Sequence, residues 1–455
     1  MEKVKVAVIG AGNRGTYAYA PYIYENSDVC EIVAVIGAGN RGTYAYAPYI
    51  YENSDVCEIV AVAEPKKGRR ELFTQKYNLD SKNVFETLED FFKHDKMADA
   101  VIIATNDDRH YDVAKLALEK GYHVLLEKPM SNSLDGLVHI DDLCDKYKDK
   151  IFMICHVLRY SPFYNKLKEI VESKKLGELV SIQYNENIGY WHFAHSFTRG
   201  NWRNSNETSP LILAKSCHDM DILLYLVGSR CKKISAFGSL KHLNNQNASG
   251  EMAQNCLQCL VEKKCPYSAK RIYLEKDRSI NRAVHINPTE ENLLNILKTS
   301  PYGRCVYRCD NNVVDNMVNI LQFENGVTAT FNLCAFTKEN GRTIKLMFSH
   351  GEVGGDLNKN EIRIKEFGKN EEIVMNPSNQ QNMVEEYDRN LIAEFIKLVS
   401  NKELEKGRVA AKEAIQSHVM AFAAEYSRVS DEVVYIEEFF DSAKQMTKEI
   451  EETIF

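Results

Sequence analysis

The sequence predicts an α/β protein: a doubly wound parallel sheet first, then an α+β domain. Three observations predict it. Short apolar strands alternate with helical stretches up to about residue 150. A G-x-G-x-x-G triplet stands between a strand and a helix there. Later segments such as VNILQFENGVTATFNLCAF and GRTIKLMFSHGEVGGDL alternate with period two and break at Asn-Gly and Gly, as antiparallel strands do. The 455 residues are read as two domains, 1–150 and 151–455.

The chain opens on the strand VKVAVIG, and Gly10, Gly12 and Gly15 complete the first triplet, with Asn13 and Arg14 inside it. Residues 7–33 and 34–60 are the same 27 residues without a mismatch, so a second triplet follows: Gly37, Gly39, Asn40, Arg41, Gly42. A solenoid needs about three copies to bury a continuous core, which excludes a repeat array. The identity indicates a recent duplication, an engineered repeat or an error of sequence assembly.

The glycines permit a tight turn, close approach to a pyrophosphate and close helix–strand packing. The helix N-terminus behind them favours an anion. An acid at the end of the next strand would bind a ribose diol, and Glu64 stands there relative to the second copy. The first copy runs into the second Gly loop instead. We therefore expect the second copy to take the central slot of the sheet, with residues 1 to about 30 as surplus. The first copy in that slot would require closing a long loop, at modest entropic cost. Glu64 points to NAD, because a carboxylate repels a 2′-phosphate. Lys66, Lys67, Arg69 and Arg70 keep NADP open, or form a solvated helix start.

From residue 97 the alternation continues. ADAVIIAT is a buried strand ending in a polar turn, YDVAKLALEKG a helix with a Gly stop, and YHVLLEKP a strand ended by Pro129. Ligands of such sheets sit at the carboxyl ends of the strands. Thr105, Asn106, His110, Glu127 and Lys128 fall at or near those ends.

GAGNRG, then ATNDDRH, then HVLLEKPM, then His218-x-x-Asp221 resemble the glucose-fructose oxidoreductase / inositol dehydrogenase / MocA (Gfo/Idh/MocA) superfamily, over almost the whole chain. WHFAHSFTRGNWR (191–203) and SHVMAFAAEYSR (417–428) look like one subgroup of it. The resemblance implies an N-terminal Rossmann domain and a C-terminal domain with an open, mostly antiparallel sheet that often builds homo-oligomers. C-terminal helices would pack back on the Rossmann domain. It implies hydride transfer between a nicotinamide and a carbinol carbon of a sugar or cyclitol, with Lys128 and His218 handling the hydroxyl proton. A Lys desolvated beside a cofactor shifts toward neutrality and a His titrates there unaided, so both types suit the task.

One departure stands out. Polyol dehydrogenases of this superfamily often carry an Asp four residues before the catalytic His, and here that residue is Ala214, followed by Lys215. The missing Asp and the loop rich in His and aromatics keep open an NAD-dependent glycosidase that oxidises a ring carbon transiently and eliminates the aglycone, and the resemblance also leaves open a non-catalytic nucleotide or sugar sensor.

Arg159 and Tyr160 resemble the turn that lines the substrate side in the family. Tyr190, Trp191, His192, His195, Arg199, Trp202 and Arg203 crowd a short stretch. Such a loop suits a polar ring substrate or packs an interface. The substrate residues expected are Arg159, Tyr160, Tyr190, His192, His195 and Lys215.

An insert at about 240–310 carries Cys256-x2-Cys259-x5-Cys265-Pro and then Cys305-x3-Cys309. Zinc takes four tetrahedral N or S ligands, so Cys256, Cys259 and Cys265 would need a fourth from Cys305, Cys309 or a His. The spacing does not match a ferredoxin run. A structural zinc and a set of free thiols both remain open. The net charge of −7 excludes a polyanion-binding surface over the whole molecule, so no nucleic acid is expected. No apolar run approaches a membrane span. Twelve cysteines without a secretion signal point to a reducing, cytoplasmic setting.

Overall fold

The structure is a computed structural model that describes residues 4–9, 30–36, 62–63, 65, 67–77, 80–96, 99–103, 105, 107–274, 279–285, 287–378, 387, 390–391, 394–395, 397–399 and 401–454. The chain forms two compact units. The first holds residues 1–161 and 380–416; the second holds 162–379 and 417–455.

The first unit is built on a seven-stranded sheet in the order β4-β3-β2-β1-β5-β6-β7, with every pairing parallel. The strands are β1 (Val4–Ile9), β2 (Cys30–Ile36), β3 (Val62–Ala63), β4 (Val84–Phe85), β5 (Ala100–Ile103), β6 (His123–Leu126) and β7 (Phe152–Ile154). Parallel strands covered on both faces read as unbroken apolar runs. Accordingly Ala100, Val101, Ile103, Val124, Leu125 and Leu126 are all fully buried.

The expectation that the second copy takes the central slot is overturned. Val6 to Ile9 of the first copy pair with Ala100 to Ile103, so β1 stands beside β5. The second copy is inserted next to it: β2 pairs with β1 on one side and β3 on the other. The reason lies in the join. Cys30–Ile36 fuses the end of one copy to the start of the next, and its first six residues, CEIVAV, repeat at 57–62. It can close one strand-to-strand unit and open another. Inserting a strand pairs its backbone on both edges, whereas a displaced end would leave those groups without a ladder.

Residues from the chain's late part belong to this first unit. Lys412, on the helix Leu404–Ser430, forms ion pairs with Asp141 and, at 2.8 Å, with Asp145. Asn390 donates to the carbonyl of Tyr160 at 3.0 Å.

The second unit carries a nine-stranded sheet in the order β15-β14-β13-β12-β8-β11-β10-β9-β16. These are β8 (Leu179–Gly189), β9 (Cys231–Ser239), β10 (Asn316–Phe323), β11 (Thr328–Thr337), β12 (Gly341–Phe348), β13 (Gly351–Asp356), β14 (Glu361–Glu366), β15 (Glu372–Met375) and β16 (Val434–Tyr435). All pairings are antiparallel except β8 with β11, so the expected mostly antiparallel sheet is present. The helix Leu211–Val227 is apolar on nearly every side and almost wholly buried. It ends at Gly228, whose φ of 65° is left-handed, where a side chain would be strained. Among the described residues, no helix is long and apolar enough to cross a membrane.

Candidate active site

In the first unit, the carboxyl ends of β5 and β6 present the expected residues side by side. The Glu127 amide donates to the carbonyl of Ile103 at 2.8 Å, which sets the two strand ends level. Glu127 is buried, and its Oε2 accepts the Lys128 amide at 3.1 Å. The Lys128–Pro129 peptide is cis. His110 ties this turn to the neighbouring one: Nδ1 lies 2.6 Å from the Pro129 carbonyl and Nε2 lies 3.2 Å from the Thr105 carbonyl. Burial pushes its imidazole below the usual range, and the Pro129 carbonyl opposes that shift. A neutral ring has a single N–H, which the shorter contact assigns to Nδ1. His110 is therefore a positioning residue for the Glu127–Lys128 turn.

Thr105 Oγ1 is buried and has no hydrogen-bond partner among the described residues. A buried polar atom left unsatisfied is costly, and a ligand at the strand edge would satisfy it. In that respect the edge fits a nucleotide. Asn106, Glu64 and both glycine loops (Gly10, Gly12, Asn13, Arg14, Gly15 and Gly37, Gly39, Asn40, Arg41, Gly42) lie outside the described residues. Arg159 pairs with Glu413 at 2.5 Å inside the same unit.

In the second unit, His218 is buried on the helix Leu211–Val227. Ala214 precedes it by four residues and shares its face, while Lys215 and Asp219 share a different one. That second face carries a buried charge network the sequence did not reveal. Arg342 Nε lies 2.6 Å from Asp219 Oδ1 and 2.7 Å from Glu186 Oε2. Lys215 Nζ lies 3.1 Å from Glu186 Oε1, so the residue expected to meet substrate is engaged with a carboxylate. Tyr184 donates its hydroxyl to Asp219 at 2.8 Å, which leaves Tyr164 as the donor in its 2.6 Å contact with Tyr184.

Glu186 and Asp219 are 1% and 0% exposed, so water does not screen this network. Burial pushes the Glu186 carboxyl up, and Arg342 and Lys215 pull against it. Burial acts to lower Arg342, but Asp219 and Glu186 more than offset it and hold the guanidinium charged. Burial, then the Asp219 charge, raises the Tyr184 phenol. One signal in the sequence could have found the network. Tyr184, Glu186 and Ile188 alternate onto the buried face of β8, and an acid at such a position requires a buried cation.

The aromatic loop divides between two settings. Tyr190 and His192 are half-buried, with His192 Nδ1 3.0 Å from Asn340 Oδ1. His195 is packed into the insert: it contacts the Tyr273 hydroxyl at 2.9 Å and stacks on Tyr302 with centroids 5.0 Å apart. Burial pushes its imidazole down to about 4. As placed, it is a packing residue. Among the described residues the cysteines are free thiols.

Comparison with known proteins gives the following. Residues 31–156 match the oxidoreductase family with an NAD-binding Rossmann fold, and residues 164–353 match the GFO/IDH/MocA C-terminal domain. The first match begins at residue 31, within β2, and so takes in the whole second copy and only the last residues of the first. Inositol 2-dehydrogenase of Corynebacterium glutamicum (strain R) is 29% identical over 174 residues, 37% of this chain and 46% of that protein. scyllo-Inositol 2-dehydrogenase (NAD(+)) of Bacillus subtilis (strain 168) is 28% identical over 193 residues, 40% of this chain and 50% of that one. The chain spans about half the length of these curated relatives. A levoglucosan dehydrogenase solved with NADH and levoglucosan shares the fold with a TM-score of 0.65, at 14% identity, covering 96% of this chain and 100% of that one.

Replacing Arg342 by Met tests the network. It strands two buried carboxylates, which costs about 3–5 kcal/mol for a broken buried pair. Urea denaturation should show that loss, with Arg342→Lys losing less. An unchanged midpoint for Arg342→Met would show that the carboxylates do not depend on this cation.

Proposed function

The chain belongs to the Gfo/Idh/MocA family of oxidoreductases, and from that premise we propose that it transfers a hydride between a nicotinamide cofactor and a hydroxyl-bearing or keto carbon of a sugar or cyclitol. The observation that carries this reading is the strand edge of the first unit, where Thr105, Glu127 and Lys128 stand together at the carboxyl ends of parallel strands. The inositol dehydrogenases among the relatives support the substrate class.

When bound, the nicotinamide supplies the hydride acceptor or donor. The residues of the chain do the rest. Lys128 exchanges the hydroxyl proton, held by the turn that His110 fixes. His218 is the second proton-handling group. Thr105 meets the cofactor with its hydroxyl, and Arg159, Tyr160, Tyr190 and His192 bind the substrate. The free thiols support a reducing, cytoplasmic setting.

The duplication affects the cofactor directly. β1 stands beside β5, where the crevice of a doubly wound sheet opens, but in the sequence the neighbouring strand β2 is followed by Gly37 instead of an acid. The second loop follows β2, and its neighbour β3 runs into Glu64, one strand further from β5. The two requirements of the site are thus split by one strand. Deleting residues 34–60 would reunite them.

The glycosidase reading is favoured by Ala214, which stands where a polyol dehydrogenase often has Asp, and by the loop rich in His and aromatics. Net NADH formation from a free sugar or cyclitol supports the dehydrogenase. Release of a leaving group with no net change in nicotinamide absorbance supports the glycosidase. In either case Lys128→Ala should lower turnover by about a hundredfold or more, as for loss of a general acid–base group. A Lys128→Ala protein of full activity would assign the chain to the sensors instead.

Titrating NAD into this chain and into the chain lacking residues 34–60 tests the split site. A hydrogen bond to a charged group contributes about 1.5–3 kcal/mol, so the shorter chain should bind roughly tenfold tighter or better. Equal affinity would show that one loop serves without its acid.

We also propose a homo-oligomer through the outer face of the nine-stranded sheet. Phe237 and Val318 are cross-strand neighbours there, with Ile320 beside them, and they are 60%, 42% and 51% exposed. Sedimentation should give a dimer or tetramer that Ile320→Lys dissociates; a monomeric parent would remove the proposal.

A further inference from the structure

The insert of the second unit carries thiols that the proposed oxidoreductase chemistry does not use. Two short turns present three of them. Cys256 opens the 3-10 turn Cys256–Gln258 and Cys259 closes it, its amide donating to the Cys256 carbonyl at 3.3 Å. Cys265 closes the next such turn, Glu262–Lys264, with its amide 3.1 Å from the Glu262 carbonyl. Cys305 comes from a loop later in the chain. A bridge between Asn255 and Arg304 fixes that loop, as does the Cys305 amide, which donates to the Gln254 carbonyl at 2.8 Å. Gly303 is required for that approach, since a Cβ there would lie 1.8 Å from the Leu297 carbonyl oxygen. The fold thus chooses among the fourth ligands that the sequence left open. Cys305 lines one cavity with Cys256, Cys259 and Cys265, while the Cys309 thiol donates to the Cys305 carbonyl at 3.2 Å.

The cavity, about 10 Å³, has room for about one water-sized occupant. A buried water needs about two to four polar partners, and sulfur is a weak one. An iron–sulfur cluster is too large. A single zinc ion is the right size, and zinc takes four thiolates, with C-x2-C a usual spacing for two of them.

Arg199 is an independent observation. Its side chain is 1% exposed and lines the same cavity. Its Nε donates to the Arg304 carbonyl and one terminal nitrogen to the Tyr267 carbonyl, both at 2.7 Å, and the same nitrogen lies 3.6 Å from Cys256 Sγ. The other terminal nitrogen has no partner among the described residues. No carboxylate among them pairs with this guanidinium. Glu262, the acid on the cavity wall, accepts the Ser268 hydroxyl and lies 3.9 Å from Lys270. A buried cation without a counter-charge is strongly unfavourable, so the cavity calls for a centre of net negative charge. Zinc bound by four thiolates is such a centre.

We propose that Cys256, Cys259, Cys265 and Cys305 hold one zinc ion and that Arg199 offsets the negative charge of the four-thiolate centre. Zinc at ~2.3 Å from each sulfur sets the sulfurs about 3.8 Å apart. No three of the four lie within 4.8 Å of one another as placed, so binding draws the thiols inward by rotation about χ1 and closes the two turns onto the Cys305 loop. Four protein ligands leave the ion no open position, so the centre is structural and takes no part in the hydride transfer proposed above. It holds together the insert whose Tyr273 and Tyr302 pack His195 of the aromatic loop.

Metal analysis of the full chain, produced with zinc in the medium and purified without chelators, tests the assignment. The expected result is about one zinc per chain, released when an organomercurial titrates the thiols. Cobalt(II) in its place should show the sulfur-to-metal absorption of a tetrahedral thiolate centre, which reports the ligand set directly. Cys305→Ser should weaken that absorption, and Cys334→Ser, a thiol outside the cavity, should leave it unchanged. Arg199→Gln should lower zinc affinity by about tenfold or more, as loss of a group that supports metal ligands does; equal affinity would remove its role. Because a ligand variant can fail to fold, the deciding measurements are on the unaltered chain. A chain that takes up neither zinc nor cobalt, a cobalt spectrum without thiolate absorption, or iron and labile sulfide in place of zinc would overturn the proposal.

Discussion

A charge removed from water has to be met by another charge, and the second unit is arranged around that constraint. Arg342 sits between Glu186 and Asp219, two carboxylates that solvent does not reach. Glu186 and Arg342 are in register on β8 and β12, while Asp219 comes from the helix Leu211–Val227. The network therefore fixes helix to sheet at a defined rotation. Apolar packing alone would tolerate several rotations of a helix that is apolar nearly all round, whereas a guanidinium between two acids tolerates few. The face carrying His218 is set as a consequence. The Tyr164–Tyr184–Asp219 chain extends the same lock into the sheet.

Arg199 shows the same constraint with one partner missing. Both arginines are buried, and both donate to fixed acceptors. Arg342 meets full negative charges, but Arg199 meets two backbone carbonyls, which offer only partial ones. A π-helical turn delivers Arg199 to this buried position.

Much of this was legible in the sequence because it is local. Strand–helix alternation, the period-two strands and the Glu127–Lys128–Pro129 strand end each depend on neighbouring residues, and each appears in the structure. The misses share another character. Glu186 and Arg342 are far apart in the chain, and neither has a local signature beyond its place on an alternating strand. His195 and Arg199 lay in a loop whose composition suits a substrate as well as it suits packing, and only the position of Tyr273, Tyr302 and the thiols separates the two. Lys215 was expected to meet substrate beside His218 because its partner, Glu186, comes from another element.

The duplicated strand could not have been placed by pattern at all. Two identical segments offer the same apolar faces and the same backbone ladder, so burial and hydrogen bonding hardly distinguish one slot from the other. The sheet accepts both by adding a strand. What differs is the next residue: Gly37 after one strand, Glu64 beyond the other. The fold depends on side-chain patterns that the repeat preserves, whereas the acid occurs in the sequence only after the second copy. A parallel sheet can thus take in an extra strand between β1 and β3, and the sequence then sets Glu64 after β3, one strand beyond the neighbour of β1.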